Sequence, residues 1–180
     1  IPVFERTQAW GALMRGYPNA LCISGTHGKT TTTSMCTHIM MAAEKDPTVM
    51  IGGTLPLLHA CHRVGKGNTI IMESCEYYNS FLSLNPTIAV ILNIEADHLD
   101  HYEGLEEIYA QFAAFLSGVR EGGPIVVCGD DPKLVEVARG TGRTVTTYGF
   151  SEDCDARILA TEAQGVGTRF TLRLPDGRVV

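Results

Sequence analysis

A glycine-rich stretch near the start of the chain reads Ser24-Gly25-Thr26-His27-Gly28-Lys29-Thr30-Thr31-Thr32-Thr33. It follows the apolar run 20–23 and precedes residues 31–44, whose pattern predicts a helix. Strand, glycine loop, Lys-Thr and helix is the order of a phosphate-binding loop, because glycines let backbone amides approach phosphate oxygens and the helix N-terminus adds partial positive charge. In such a loop Lys29 reaches the β- and γ-phosphates, and the Thr30 hydroxyl ligates Mg²⁺.

The spacing of the two glycines departs from the general form of this loop. The usual first glycine stands five residues before the second, where this chain has Ile23, and the first glycine here is Gly25. A glycine turn before a polar helix start is the alternative, but the flanking strand and helix favour phosphate binding. The candidate nucleotide-binding residues are Gly25, Thr26, His27, Gly28, Lys29, Thr30 and Thr31.

Composition restricts the class of protein. The chain has 180 residues, 44% apolar and 19% charged, which is typical of one soluble globular domain. Its net charge of -6 argues against a broad nucleic-acid surface, and no apolar run approaches the ~20 residues of a membrane helix. The chain begins at Ile1 without a secretory signal and ends inside a strand-like segment, so we expect a piece of a longer protein.

The six cysteines are scattered and form no C-x-x-C pair. This favours a reduced, cytoplasmic protein over a disulfide scaffold. His59, Cys61 and His62 lie close in sequence, but their spacing matches no zinc pattern.

The periodicity predicts an α/β fold: a P-loop-type, mostly parallel sheet flanked by helices, with a small antiparallel β extension at the C-terminal end. Predicted strands cover 19–24, 48–51, 69–72, 87–92, 125–128 and 145–148, and alternating residues from 156 onward predict the extension. Predicted helices cover 3–16, 31–44, 105–119 and a segment after Asp131, while 54–67 is expected to be loop. The expected inward residues are Val3, Ala9, Leu13 and Met14 in the first helix, Met35, Cys36, Ile39, Met40 and Ala43 in the second, and Ile108, Phe112, Phe115 and Leu116 in the third.

Polar groups follow two of the predicted strands. Glu73 ends the third strand and residues 93–98 follow the fourth, so both should meet the phosphate loop at the carboxyl edge of the sheet. Thr30 and Glu73 offer Mg²⁺ the oxygen ligands that it prefers, whereas an imidazole, such as that of His98, requires a second, less demanding ion site. Two alternatives stay open: Glu73 is a solvated loop charge, and residues 97–100 cap a helix.

Four segments together resemble the central domain of the Mur ligases: Gly25 to Thr32, Gly52-Gly53, Glu73 to Phe81, and Asn93 to Asp100. The resemblance implies a cytoplasmic, ATP-dependent amide-bond ligase of peptidoglycan synthesis that uses ATP and Mg²⁺. The carboxylate of UDP-N-acetylmuramate attacks the γ-phosphate, and L-alanine then displaces phosphate from the acyl phosphate. The implied roles are Lys29 and His98 in catalysis, Thr30, Glu73 and His98 as metal ligands, Asn93 and Asp97 in support, and Glu76, Ser80 and Phe81 facing the sugar nucleotide.

Three positions depart from this family pattern. Many relatives carry Asp where Cys75 and Tyr78 stand, and an Asn where Cys61 stands, which affects the muramoyl side of the site and not the ATP side. The alternatives are a muramoyl-peptide recycling ligase of the same family, a P-loop kinase or NTPase module, and a non-catalytic nucleotide-binding module.

The resemblance also implies a domain division. Residues 1–18 are an interdomain linker and helix, and residues 19–180 are a central ATP-binding domain that is truncated before its C-terminal end. Its partners are an N-terminal domain that binds the uridine nucleotide and a C-terminal domain that helps to bind the amino acid, with the adenine contacts lying beyond Val180.

We therefore expect the isolated chain to have no ligase activity and at most weak ATP affinity, because the other two domains complete the site. A ligation assay on residues 1–180 alone checks this. Normal turnover by that fragment would contradict the division.

Overall fold

The structure is a computed structural model that describes residues 2–97 and 100–180. Its helices are α1 (Arg6–Met14), α2 (Lys29–Ala42), α3 (Leu105–Ser117) and α4 (Pro132–Gly140), with a 3₁₀ segment at Tyr77–Ser83. Its strands are β1 (Asn19–Ser24), β2 (Thr48–Leu55), β3 (Ala60–Arg63), β4 (Thr69–Glu73), β5 (Ile88–Ile91), β6 (Ile125–Cys128), β7 (Val145–Gly149), β8 (Ala156–Gln164) and β9 (Gly167–Arg173).

All these strands join one sheet in the order β3-β2-β4-β1-β5-β6-β7-β8-β9. Every pairing from β2 to β8 is parallel, and the two edge strands, β3 and β9, are antiparallel to their neighbours. The predicted fold class is confirmed. The C-terminal hairpin continues the main sheet, because Tyr148 of β7 pairs with Ala156 of β8.

Alternate residues of the central strands face two separate apolar clusters, as expected for a sheet covered on both faces. Ala20 and Cys22 of β1 lie in the larger cluster, which also contains side chains of α1, α3 and α4. Ile23 lies in the smaller cluster, against which α2 packs Cys36 and Met40. The four predicted inward residues of α3 are all buried, so that prediction is confirmed.

The predicted core face of α2 is only partly right, since Cys36 and Met40 pack against the smaller cluster but two other predicted residues do not. Met35 and Ile39 are mostly exposed, and the buried side chains are Thr33 and Thr37. The Thr37 hydroxyl donates to the Thr33 carbonyl oxygen at 2.8 Å, which satisfies it inside the helix. Thr33 and Thr37 therefore face the sheet, which the hydrophobic pattern of α2 does not indicate.

Two other local predictions are wrong. Helix α1 is shorter than the predicted helix at 3–16, because the Glu5 side chain caps its first turn and Val3 stays exposed before it. The segment predicted as a loop, 54–67, contains β3, which pairs with β2 through Val49↔Arg63 and Met50↔His62. The first error reflects a local cap that periodicity does not show, and the second a strand that is defined only by its pairing with β2.

The core of α3 supports a test of this packing. Phe112 is fully buried and its ring lies 5.3 Å from that of Phe81, so Phe112→Ala should lower the free energy of unfolding by about 3–5 kcal/mol. Met35→Ala, on the exposed face of α2, should change it by less than about 0.5 kcal/mol. Urea denaturation measures both, and equal losses would contradict the assignment of these faces.

Candidate active site

The glycine loop lies at the carboxyl end of the central strand β1. This strand pairs with β4 on one side, Ile23 opposite Glu73, and with β5 on the other, Ser24 opposite Ile91. The chain visits β2 and β4 on one side of β1 and then crosses to β5 on the other side. Ligands of open parallel sheets bind at such a reversal of strand order, so the topology places the candidate site at the loop.

The segment after β5 holds the loop in shape. The Asn93 side chain accepts from the His27 amide at 2.8 Å and donates to the His27 carbonyl oxygen at 3.1 Å. The Thr26 amide donates to the Asn93 carbonyl oxygen at 3.0 Å. Gly25 has φ +137°, and a Cβ there would lie 3.0 Å from that oxygen, so a side chain at this position would be both strained and crowded.

Lys29 is the first residue of α2 and folds back over the loop. Its Nζ lies 2.5 Å from the Gly25 carbonyl oxygen and 3.1 Å from the Thr26 carbonyl oxygen. It also forms an ion pair with Glu76, at 3.0 Å and 2.9 Å from the two carboxylate oxygens. The side chains are 14% and 3% exposed, so this ion pair is largely removed from water.

Thr30 and Glu73 lie side by side, as the sequence predicted. The Thr30 hydroxyl donates to Glu73 Oε1 at 3.0 Å, and the Gly52 amide donates to Glu73 Oε2 at 2.6 Å. A Cβ at Gly52 would lie 2.4 Å from Glu73 Oε1, so only glycine permits this approach. Mg²⁺ binds hydroxyl and carboxylate oxygens and completes its coordination shell with water. The adjacent oxygens of Thr30 and Glu73 therefore fit this ion.

The structure separates the three residues predicted to face the sugar nucleotide. Glu76 is buried against Lys29, and its carbonyl oxygen accepts from the buried Tyr102 hydroxyl at 2.5 Å. The Ser80 hydroxyl donates to the Cys75 carbonyl oxygen at 3.0 Å. Phe81 is fully buried and stacks on Phe115 with the ring centroids 4.6 Å apart, so its side chain packs in the core and does not reach the site.

His98, the predicted ligand of a second ion, lies outside the described residues, as does Leu99. In the described part of the chain, no three His, Cys, Asp or Glu side chains form a group able to hold a metal ion. His27 Nε2 lies 3.6 Å from Glu95 Oε2, and both side chains are exposed. Asp100 accepts from the Tyr77 hydroxyl at 2.8 Å, which raises the pKa of Tyr77.

A cavity of about 360 Å³ adjoins Glu73 on the side away from β5. Cys61, Cys75 and Ser80 contribute to its wall, together with Arg6 and Trp10 of α1. A larger cavity of about 1120 Å³ runs along α1 and is lined by none of the loop residues. The smaller cavity therefore adjoins the candidate metal position, and two of the three positions that depart from the family pattern line it.

The fold and the glycine loop define an α/β domain of the P-loop type. The family model for the Mur ligase middle domain matches residues 23–179. The chain belongs to this family.

Curated relatives support this assignment. The chain is 40% identical over 168 residues to UDP-N-acetylmuramate--L-alanine ligase of Clostridium botulinum (strain Hall), covering 93% of the chain and 37% of the relative. It is 40% identical over 155 residues to the protein of that name from Agathobacter rectalis, covering 86% and 34%. The chain thus spans little more than a third of the length of the curated relatives it matches.

Solved structures share the fold. A UDP-N-acetylmuramate:L-alanyl-gamma-D-glutamyl-meso-diaminopimelate ligase of Neisseria superposes with a TM-score of 0.82 at 24% identity, covering 99% of this chain and 59% of that one. A MurF ligase of Thermotoga maritima in complex with ADP superposes with a TM-score of 0.77 at 17% identity, and the match covers 100% of this chain and 45% of that one. A UDP-N-acetylmuramate-alanine ligase from Thermotoga maritima has a TM-score of 0.76 at 22% identity, and the match covers 93% of this chain and 37% of that one.

Two contacts of this site join residues that no local sequence pattern connects. The ion pair of Lys29 with Glu76 joins residues 47 positions apart, and the contact of Gly52 with Glu73 joins residues 21 positions apart. The Gly52-Gly53 pair at the end of an apolar run was the available signal for the second contact. No local signal marked Glu76 as the partner of Lys29.

Asn93 provides a test of how the loop is held. Asn93→Ala removes both side-chain hydrogen bonds to the His27 backbone and should lower the free energy of unfolding by about 1–3 kcal/mol. Asn93→Asp keeps the acceptor for the His27 amide, so its free energy of unfolding should lie between those of the parent protein and Asn93→Ala. Urea denaturation measures all three. An alanine variant as stable as the parent protein would show that this contact does not hold the loop.

Proposed function

We propose that the full-length protein containing this chain is an ATP-dependent amide-bond ligase that joins L-alanine to UDP-N-acetylmuramate in peptidoglycan synthesis. The observation that carries the proposal is the convergence of Lys29, Thr30 and Glu73 at one edge of the sheet of a Mur ligase middle domain. The relatives at 40% identity are named for this reaction, which supports the choice of substrates. We place the reaction in the cytoplasm, where ATP is available.

In this proposal the loop binds the phosphates of ATP. The residues from Gly25 to Thr31 surround them, and the N-terminus of α2 and the Lys29 ammonium offset their negative charge. The muramoyl carboxylate attacks the γ-phosphate to form an acyl phosphate, and the amine of L-alanine then displaces phosphate. Lys29 stabilises the charge on the transferring phosphoryl group, as cationic residues do in other phosphoryl transfers.

Thr30 and Glu73 are the proposed ligands of Mg²⁺, and His98 of a second ion. Bound Mg²⁺ would neutralise charge on the phosphate oxygens. The Gly52 amide holds the Glu73 carboxylate in place for this role. We propose Glu76 and Ser80 as the part of the predicted substrate segment that borders the muramoyl group, while Phe81 supports this segment from the core.

The domain division is part of the proposal. Residues 19–180 form the central domain, preceded by a linker and helix at 1–18, and the family model covers nearly all of that central region. The curated relatives are longer than the chain, and we assign their remaining length to an N-terminal and a C-terminal domain, which would bind the uridine nucleotide and the amino acid. The part of the chain that the structure describes contains no helix long and apolar enough to cross a membrane.

Lys29→Ala in the full-length protein should abolish ligation, because the loop then offers the transferring phosphoryl group no cation at this position. Phosphate release from ATP, dependent on both UDP-N-acetylmuramate and L-alanine, measures the reaction. Trapping an acyl phosphate in the absence of L-alanine separates a ligase from a kinase, which would phosphorylate a hydroxyl group. An unchanged rate for Lys29→Ala would favour a different function.

A further inference from the structure

The Lys29 ammonium has more acceptors around it than it can serve. Four oxygens lie within 3.1 Å of Nζ: two loop carbonyls, of Gly25 and Thr26, and both carboxylate oxygens of Glu76. An ammonium has three hydrogens. A phosphate oxygen that binds Lys29 therefore has to share or replace one of these partners.

The Glu76 carboxylate is buried, and the backbone that carries it is anchored in the core. The side chain is 3% exposed, and the Glu76 carbonyl oxygen accepts a hydrogen bond from Tyr102, which is itself buried. Separating a buried ion pair leaves an uncompensated charge in a poorly solvated place, which is far costlier than separating an exposed pair. We therefore expect the loop carbonyls, and not Glu76, to release Lys29 when a phosphate binds.

We propose that Glu76 is a positioning residue that tethers the Lys29 ammonium at the phosphate loop and, through its own charge, weakens the binding of the nucleotide. The inference rests on the proposed function, since it assigns a role to Glu76 within the same site. The tether holds the ammonium where charge develops during phosphoryl transfer. The carboxylate repels the phosphates of the bound nucleotide. This repulsion offsets part of their attraction to the Lys29 ammonium, so the nucleotide binds more weakly in the ground state.

Two variants of the full-length protein separate charge from reach. Glu76→Gln keeps the shape but removes the charge, so the Kd for ADP in the presence of Mg²⁺ should fall about threefold or more. Its kcat for ligation should fall about tenfold or more, because the amide holds the ammonium less firmly. Glu76→Asp keeps the charge at a shorter reach, so its kcat should fall while its Kd for ADP stays within about twofold.

Glu121→Gln is the matched control. Glu121 is exposed and precedes the amino end of β6, at the opposite edge of the sheet from the loop, so removing its charge should change neither Kd nor kcat by more than about twofold. Calorimetry gives the Kd for ADP, and circular dichroism checks that each variant is folded. A merely structural role for Glu76 predicts the opposite sign for the glutamine variant, a weaker affinity for ADP.

The outcomes distinguish this inference from the proposed function. If Glu76→Gln binds ADP no more tightly than the parent protein, or keeps its kcat, the tether is overturned. If Glu76→Gln does not fold, Glu76→Asp decides: an unchanged kcat overturns the tether, and a lower kcat at the parent Kd supports it. ADP binding without ligation by the parent protein contradicts only the proposed function, and no ADP binding by that protein overturns both.

Discussion

The parallel pairing of β1 with β4 and β5 is the constraint on which the site depends. Parallel strands end at the same edge of a sheet, so the pairing of Ile23 with Glu73 and of Ser24 with Ile91 brings the loop, the acid and Asn93 together. A slip of β4 by one residue would turn Glu73 to the other face of the sheet, away from Thr30. The buried clusters on both faces oppose such a slip, because they require alternate residues to keep their sides.

The Lys29–Glu76 ion pair links this edge of the sheet to the core. Glu76 lies between the end of β4 and the 3₁₀ segment. The rings of Phe81 and Tyr102, both buried in the core, anchor that region. The interior thus determines where the carboxylate stands, and the carboxylate determines where the ammonium stands. A position so defined costs little reorganisation when charge develops at the loop, which is the property that electrostatic catalysis requires.

The departures from the family pattern fall on one side of this arrangement. Cys61 and Cys75 both line the cavity of about 360 Å³ next to Glu73, and Tyr78 lies beyond it, exposed, with φ +53°. Glu73 separates this cavity from Thr30 and the glycine loop, none of whose residues line it. Desolvation raises the pKa of Cys75, so this position offers a neutral thiol to the cavity. Cys61 and Cys75 therefore shape the cavity and take no part in the contact between Thr30 and Glu73.

Local sequence patterns were enough to predict the central strands, the phosphate loop, the amphipathic face of α3 and the meeting of Thr30 with Glu73. Each of these follows from local periodicity or from the rule that parallel strands end together. The rotation of α2, the strand β3 and the ion pair of Lys29 with Glu76 emerge from the folded chain alone. These depend on which distant groups meet, because a helix face, an edge strand and a buried charge are stabilised by partners that no local pattern specifies.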